Sequence, residues 1–104
     1  MHVIADICVI PIKGEVSLRK EVAQAHRILK ETGLPIMLHS YGTNIEGDYD
    51  TIMTAIKRIH ETLHNEGTPR VSTSIRLGSR TDKEQHMSDK IDAVQAALSG
   101  EKHD

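Results

Sequence analysis

The stretch Val3 to Ile12 carries apolar residues at both parities, with Val3, Ala5, Ile7 and Val9 alternating against Ile4, Cys8 and Ile10 around a single acid, Asp6. Successive side chains of a strand point to opposite faces, so a strand of this composition needs cover on both. Its β-branched residues favour extended backbone, and Pro11 withdraws a ladder donor at its end. The chain must therefore build a layer on each side of this strand, or leave an adhesive surface for something else to cover.

The residues that follow supply one layer. Ser17 is a candidate N-cap for a helix whose apolar positions, Leu18, Val22, Ala25 and Leu29, recur at helical spacing until Gly33 can stop it. Pro35 opens a second strand, Ile36 to Tyr41, and Gly42 to Gly47 reads as a turn with a third strand. Asp48 or Asp50 can cap a second helix carrying Ile52, Ala55, Ile56, Ile59 and Leu63, which stops at Gly67 before Pro69. From Arg70 to Leu77, Val71, Thr73, Ile75 and Leu77 alternate against Ser72, Ser74 and Arg76, the pattern of a strand with one helix-facing side. Thr81 with Glu84 three residues on fits a capping box, and Met87, Ile91, Val94 and Leu98 mark the stripe of a last helix.

This order predicts an α/β (α+β) fold: one domain over 1–104, a ferredoxin-like βαββαβ sandwich with a four-stranded antiparallel sheet and an extra C-terminal helix. Two helices cover one face of such a sheet. The other face is expected to be covered jointly by the last helix and by another subunit, which makes a homo-oligomer the working expectation.

Composition narrows the function classes. Thirteen Lys and Arg against fifteen Asp and Glu give a net charge of -2, so nothing draws the chain toward nucleic-acid phosphates or anionic lipid. An RNA-binding module of this topology would display aromatics on its central strands, and the chain has two Tyr and no Phe or Trp. The single Cys8 closes no internal disulfide and reads as a buried small hydrophobe. With neither a leader-like start nor a membrane-length apolar run, the expectation is a cytoplasmic protein without a membrane or nucleic-acid partner.

His60-Glu61-Thr62-Leu63-His64 matches the H-E-x-x-H pattern, in which two His one helical turn apart bind zinc and the Glu activates water. A zinc site also needs a third protein ligand and a cleft. With Leu63 on the buried stripe, the pair reads as a solvated helix end. His2, His26, His39, His86 and His103 show no ligand spacing, and no Ser, Cys or Lys stands in a nucleophile motif. No catalytic, metal or cofactor site is predicted.

The segment from Tyr41 to Tyr49 holds the only two aromatic residues of the chain. A ring ligand could stack on Tyr41 while Thr43 and Asn44 supply hydrogen bonds and Glu46 accepts one from an exocyclic amino group. A plain hairpin, with glycines for turn geometry, accounts for the same residues.

The succession Val9-Ile10-Pro11-Ile12, Gly42-Thr43-x-x-Glu46-Gly47, Arg70-Val71-x-Thr73, Arg80 and Lys90 resembles the thiamine-binding protein family, formerly an uncharacterised conserved family. The resemblance spans about Val3 to Leu98. It implies a ferredoxin-like fold, dimers and tetramers assembled through sheet faces, and non-catalytic binding of thiamine or its hydroxymethylpyrimidine part. Carried over by position, Thr43 and Glu46 fall in the family's hairpin motif near the expected pocket, and Arg70 and Arg80 flank the fourth strand. Chemistry adds Asp6, which could meet a cationic thiazolium, and Tyr41, which could stack on the pyrimidine. The alternative is a ligand-free regulatory or scaffolding homo-oligomer whose hairpin makes an intersubunit contact.

Overall fold

In the computed structural model, which describes residues 1–101, the long two-sided strand β1 (His2–Ile12) lies inside the sheet. It is followed by α1 (Arg19–Lys30), β2 (Ile36–His39), β3 (Gly42–Asp48), α2 (Tyr49–Asn65), β4 (Arg70–Ser79) and α3 (Met87–Glu101). The sheet order is β2-β3-β1-β4, with β1 antiparallel to both neighbours and β2 antiparallel to β3. These are two split βαβ units with an added helix, the α+β architecture that the order of periods predicts.

One face is a packed core. Val3, Ala5 and Ile7 of β1 and Ile45 of β3 meet Ala25, Ile28 and Leu29 of α1 and Ile52, Ile56, Ile59 and Leu63 of α2, all buried. The stripe of α2 is the one its spacing predicts. Asp48 is its N-cap, accepting a hydrogen bond from the Thr51 N–H at 3.3 Å, and Gly67, at φ 101°, follows its end.

α1 departs from the expectation at its start. Leu18, not Ser17, holds the N-cap position and supplies no side-chain cap, and Val22 is 41% exposed while Glu21 is buried. The helix is rotated so that Ala25, Ile28 and Leu29 reach the sheet, and Lys13 at the end of β1 receives Glu21 at 2.9 Å, which compensates the buried carboxylate.

The strand ends differ modestly. β2 stops at His39, leaving Ser40 and Tyr41 as the hairpin turn, and β4 runs two residues beyond Leu77. Cys8, expected in the core, alternates onto the opposite face across from Ser74 and is only partly buried. Ile75 and Leu77 lie on the helix side but are 39% and 37% exposed, because α2 does not extend over that end of the edge strand.

α3 gives the largest difference. It begins at Met87, and the predicted capping box does not form: Arg80 grips Asp82 through two hydrogen bonds, 2.7 and 2.5 Å, while Glu84 turns to His86. The His86 backbone N–H is held instead by the Asp89 carboxylate at 2.9 Å. Beyond its first residue the helix leaves the sheet, and every residue from Ser88 to Gly100 is exposed, including Ile91, Val94 and Leu98 of the predicted stripe. The last helix therefore does not cover the second face. No described helix is long and apolar enough to cross a membrane. His103 lies outside the described residues.

Candidate functional site

The uncovered face is built from the even-numbered residues of β1 and their partners. Pairing sets Asp6 opposite Asn44 on β3 and opposite Arg76 on β4, and sets Asn44 opposite Met37 on β2. Met37, Asn44, Asp6 and Arg76 thus form one row across all four strands, with neighbours about 4.8 Å apart along the hydrogen-bonding direction. A thioether, a carboxamide, a carboxylate and a guanidinium stand side by side.

His39 fixes the orientation of the acid. The Tyr41 backbone N–H donates to His39 Nδ1 at 3.2 Å, which leaves the proton on Nε2, and Nε2 donates to Asp6 Oδ1 at 2.6 Å. The Asp6 side chain is 38% exposed and keeps acceptor capacity toward solvent. Above this row lies a groove of about 1290 Å³, bounded on one side by the segment from Arg80 to Gln85 and by Met87, Lys90 and Ile91 at the start of α3.

At one end of the groove Glu46 occupies the same face, opposite Ile4, yet is only 6% exposed. Its Oε2 is 3.3 Å from His2 Nε2, 3.1 Å from His86 Nδ1 and 3.3 Å from the Met87 N–H that it accepts. This buried carboxylate satisfies an otherwise unpaired donor in the first turn of α3 and so ties the helix start to β3. The Glu46 carboxylate, and then Glu84 at 3.1 Å from Nε2, raise the pKa of His86 above its ordinary value. Arg80 likewise holds the Asp82 carboxyl far below the usual range.

The residues predicted from the sequence divide among several places. Asp6 and Asn44 sit together in the transverse row, and Arg80 lines the groove while paired to Asp82. Glu46 is enclosed beside the groove, its carboxylate taken up by His2, His86 and Met87. Thr43 is on the opposite face, buried beneath α1, with Oγ1 2.9 Å from His26 Nδ1. Two residues of one strand separated by an odd number of positions cannot share a face, which is why Thr43 and Glu46 part. Tyr41 is 84% exposed at the hairpin turn. Arg70 starts β4 opposite Ile12, about 30 Å along the strand from Arg80, so one small ligand cannot touch both within one chain.

Sequence reasoning missed His2, His39, His86, Met37 and Arg76. None has a spacing that announces it: Met37 and His39 arrive through the pairing of β2 with β3, His2 and Arg76 through the pairings of β1, and His86 through its contact with Glu46. The two His of the H-E-x-x-H stretch are engaged elsewhere: His60 Nε2 lies 2.7 Å from Thr73 Oγ1, and His64 Nδ1 lies 2.8 Å from the Thr68 carbonyl oxygen.

The sequence profile of a family described as "Thiamine-binding protein" matches residues 5–95. A UPF0045 protein of Synechocystis sp. is 45% identical over 98 residues, covering 94% of this chain and 81% of that protein. A UPF0045 protein of Eremothecium gossypii is 39% identical over 100 residues, with 95% of each chain covered. Among solved structures, a hypothetical protein from Methanocaldococcus jannaschii superposes with a TM-score of 0.84 at 33% identity, over 90% of this chain and 96% of that one.

Proposed function

The chain belongs to the thiamine-binding protein family, and from that membership we propose that it is a non-catalytic protein that binds thiamine or its hydroxymethylpyrimidine part in the groove over the open sheet face. The observation that carries the reading is the transverse row Met37, Asn44, Asp6 and Arg76 beneath that groove. An aminopyrimidine presents a ring-nitrogen acceptor beside an amino donor, and a carboxamide offers the matching donor and acceptor. Asn44 fits that edge. Asp6, oriented by His39, attracts a thiazolium or accepts from the exocyclic amine, and Met37 offers a polarizable flank to a ring.

At about 1290 Å³ the groove exceeds the 300 to 1,000 Å³ or so that a single small ligand fills. A second copy of the chain narrows it, and two further features support that occupant. The radius of gyration is 16.2 Å, against about 13 Å for a compact chain of this length. α3, with 15 residues and an exposed Ile91, Val94 and Leu98 stripe, is marginal as an unpacked helix in water and gains its stability from a partner surface. The reading therefore includes a homodimer or homotetramer joined through sheet faces and α3. A cytoplasmic location belongs to the same proposal, in keeping with a single free thiol.

Isothermal titration with thiamine and with hydroxymethylpyrimidine, run on the native chain and on Asn44→Leu, tests the site. Native protein is expected to give saturable heat, and the variant to bind about 10- to 100-fold more weakly, the loss of one or two hydrogen bonds to a buried ligand. Absence of heat and of any rise in Tm with either compound would overturn the ligand assignment and leave the scaffolding oligomer as the better account.

A further inference from the structure

We propose that His2, Glu46 and His86 form a binding site for a divalent transition-metal ion of the zinc class. Among the described residues this is the only cluster of three potential ligands, with the three ligand atoms all within 4.8 Å of one another. The ligands come from β1, from β3 and from the residue before α3, so an ion there would join the sheet to the last helix.

The geometry suits a small tetrahedral ion. Zinc bonds to His nitrogen and carboxylate oxygen of about 2.0 to 2.1 Å set tetrahedral ligand atoms about 3.3 Å apart. The observed separations from Glu46 Oε2 are 3.3 Å to His2 Nε2 and 3.1 Å to His86 Nδ1. The two imidazoles meet edge to face, with centroids 5.5 Å apart. His2, with a side chain 43% exposed at the strand start, is free to close the third edge.

The surroundings have the features of a supported site. The second nitrogen of His86 is 3.1 Å from Glu84, the carboxylate partner that orients a metal-bound imidazole and raises its basicity. Asp89 holds the His86 backbone N–H at 2.9 Å, which fixes the loop that delivers the ring. A ligand set of two imidazoles and one carboxylate selects zinc, cobalt, nickel or copper over magnesium or calcium, which demand more oxygen ligands. Three protein ligands leave a fourth position for water, and both His2 and Met87 border the groove.

The test is a titration of the chelator-treated, tag-free chain with zinc, followed by calorimetry, and with cobalt, followed by its visible absorption. One tight zinc per chain is expected, with the intense visible bands of tetrahedral cobalt. His86→Gln and His2→Gln should each weaken binding at least 100-fold, and Glu84→Gln about 10-fold. His60→Gln and His64→Gln, on the opposite side of the sheet, should leave it unchanged. Because Glu46→Gln could unfold the helix start, the deciding variant is His2→Gln, at the exposed strand start, with circular dichroism as the check on folding. Binding that survives in both His2→Gln and His86→Gln, or that is lost in His64→Gln, would overturn the proposal. So would the lack of saturable zinc binding, which would make the cluster an ion-paired tether of α3 only.

Discussion

Thr43 and Glu46 stand three residues apart in one strand, and the sequence suggests that they share a pocket. The pleat sends them to opposite faces, one under α1 against His26 and the other beneath His2 and His86. Thr43→Val is therefore expected to leave thiamine affinity within twofold. It should lower stability by about 1 kcal/mol, as the His26 nitrogen loses its partner, measured as a shift in urea midpoint. The Lys13 and Glu21 pair allows a second test at this scale. Its hydrogen bond at 2.9 Å holds the Glu21 carboxyl below its ordinary pKa, so the stability it contributes is present above the ordinary carboxylate value and is lost as pH falls through the lowered one. The stability gap between the native chain and Lys13→Met should accordingly narrow as pH falls below the ordinary carboxylate range of about 4 to 5, read from urea midpoints along the series. A gap that stays constant would show that the pair contributes no pH-dependent stability.

At the scale of elements, the hairpin that delivers Asn44 depends on Gly42. A Cβ there would lie 2.3 Å from the Ile7 carbonyl oxygen and 3.3 Å from the Cys8 Cα, both backbone, so nothing flexible can move aside. Gly42→Ala is expected to pry β3 from β1 at a cost of about 2 kcal/mol and to lower Tm by about 10 °C, measurable by calorimetry. The glycine was legible in the sequence as turn punctuation, but its role is to admit a neighbouring strand. The helices were legible to different degrees. In α2 a single stripe meets a single surface, and spacing alone identified every buried position. In α1, Val22 and Glu21 exchange places because an ion pair from β1 competes with an apolar contact. In α3, Thr81 and Glu84 had the letters of a capping box, but Glu84 turns to His86 and the Asp82 between them is held by Arg80, so the helix starts later, at Met87.

The molecule as a whole is an open sandwich with one packed side, one grooved side and a helix that leaves the sheet after its first residue. Exposed Ile91, Val94 and Leu98 lie on one stripe of that helix, and Ile10 and Ile12 are exposed on the open face of β1. A Val94→Asp and Leu98→Asp double variant is expected to shift light-scattering mass from oligomer toward single chain, since the stripe then has charge where a partner would pack. An unchanged mass would remove α3 from the interface and leave the sheet face as the joining surface.

What the sequence determined by itself was the succession of strands and helices, the two-sided demand of β1 and the absence of a charge pattern for nucleic acid. These are local or compositional properties, fixed by periods of two and of 3.6 residues and by turn residues. Only the tertiary structure decided which polar residues meet. Strand register is set by the packing of the whole sheet, and pairing β1 with β3 and β4 brings Asp6 between Asn44 and Arg76 and folds His2 and His86 around Glu46. Contacts among residues so far apart in the chain leave no periodic trace along it, because their spacing depends on the lengths of the elements between them.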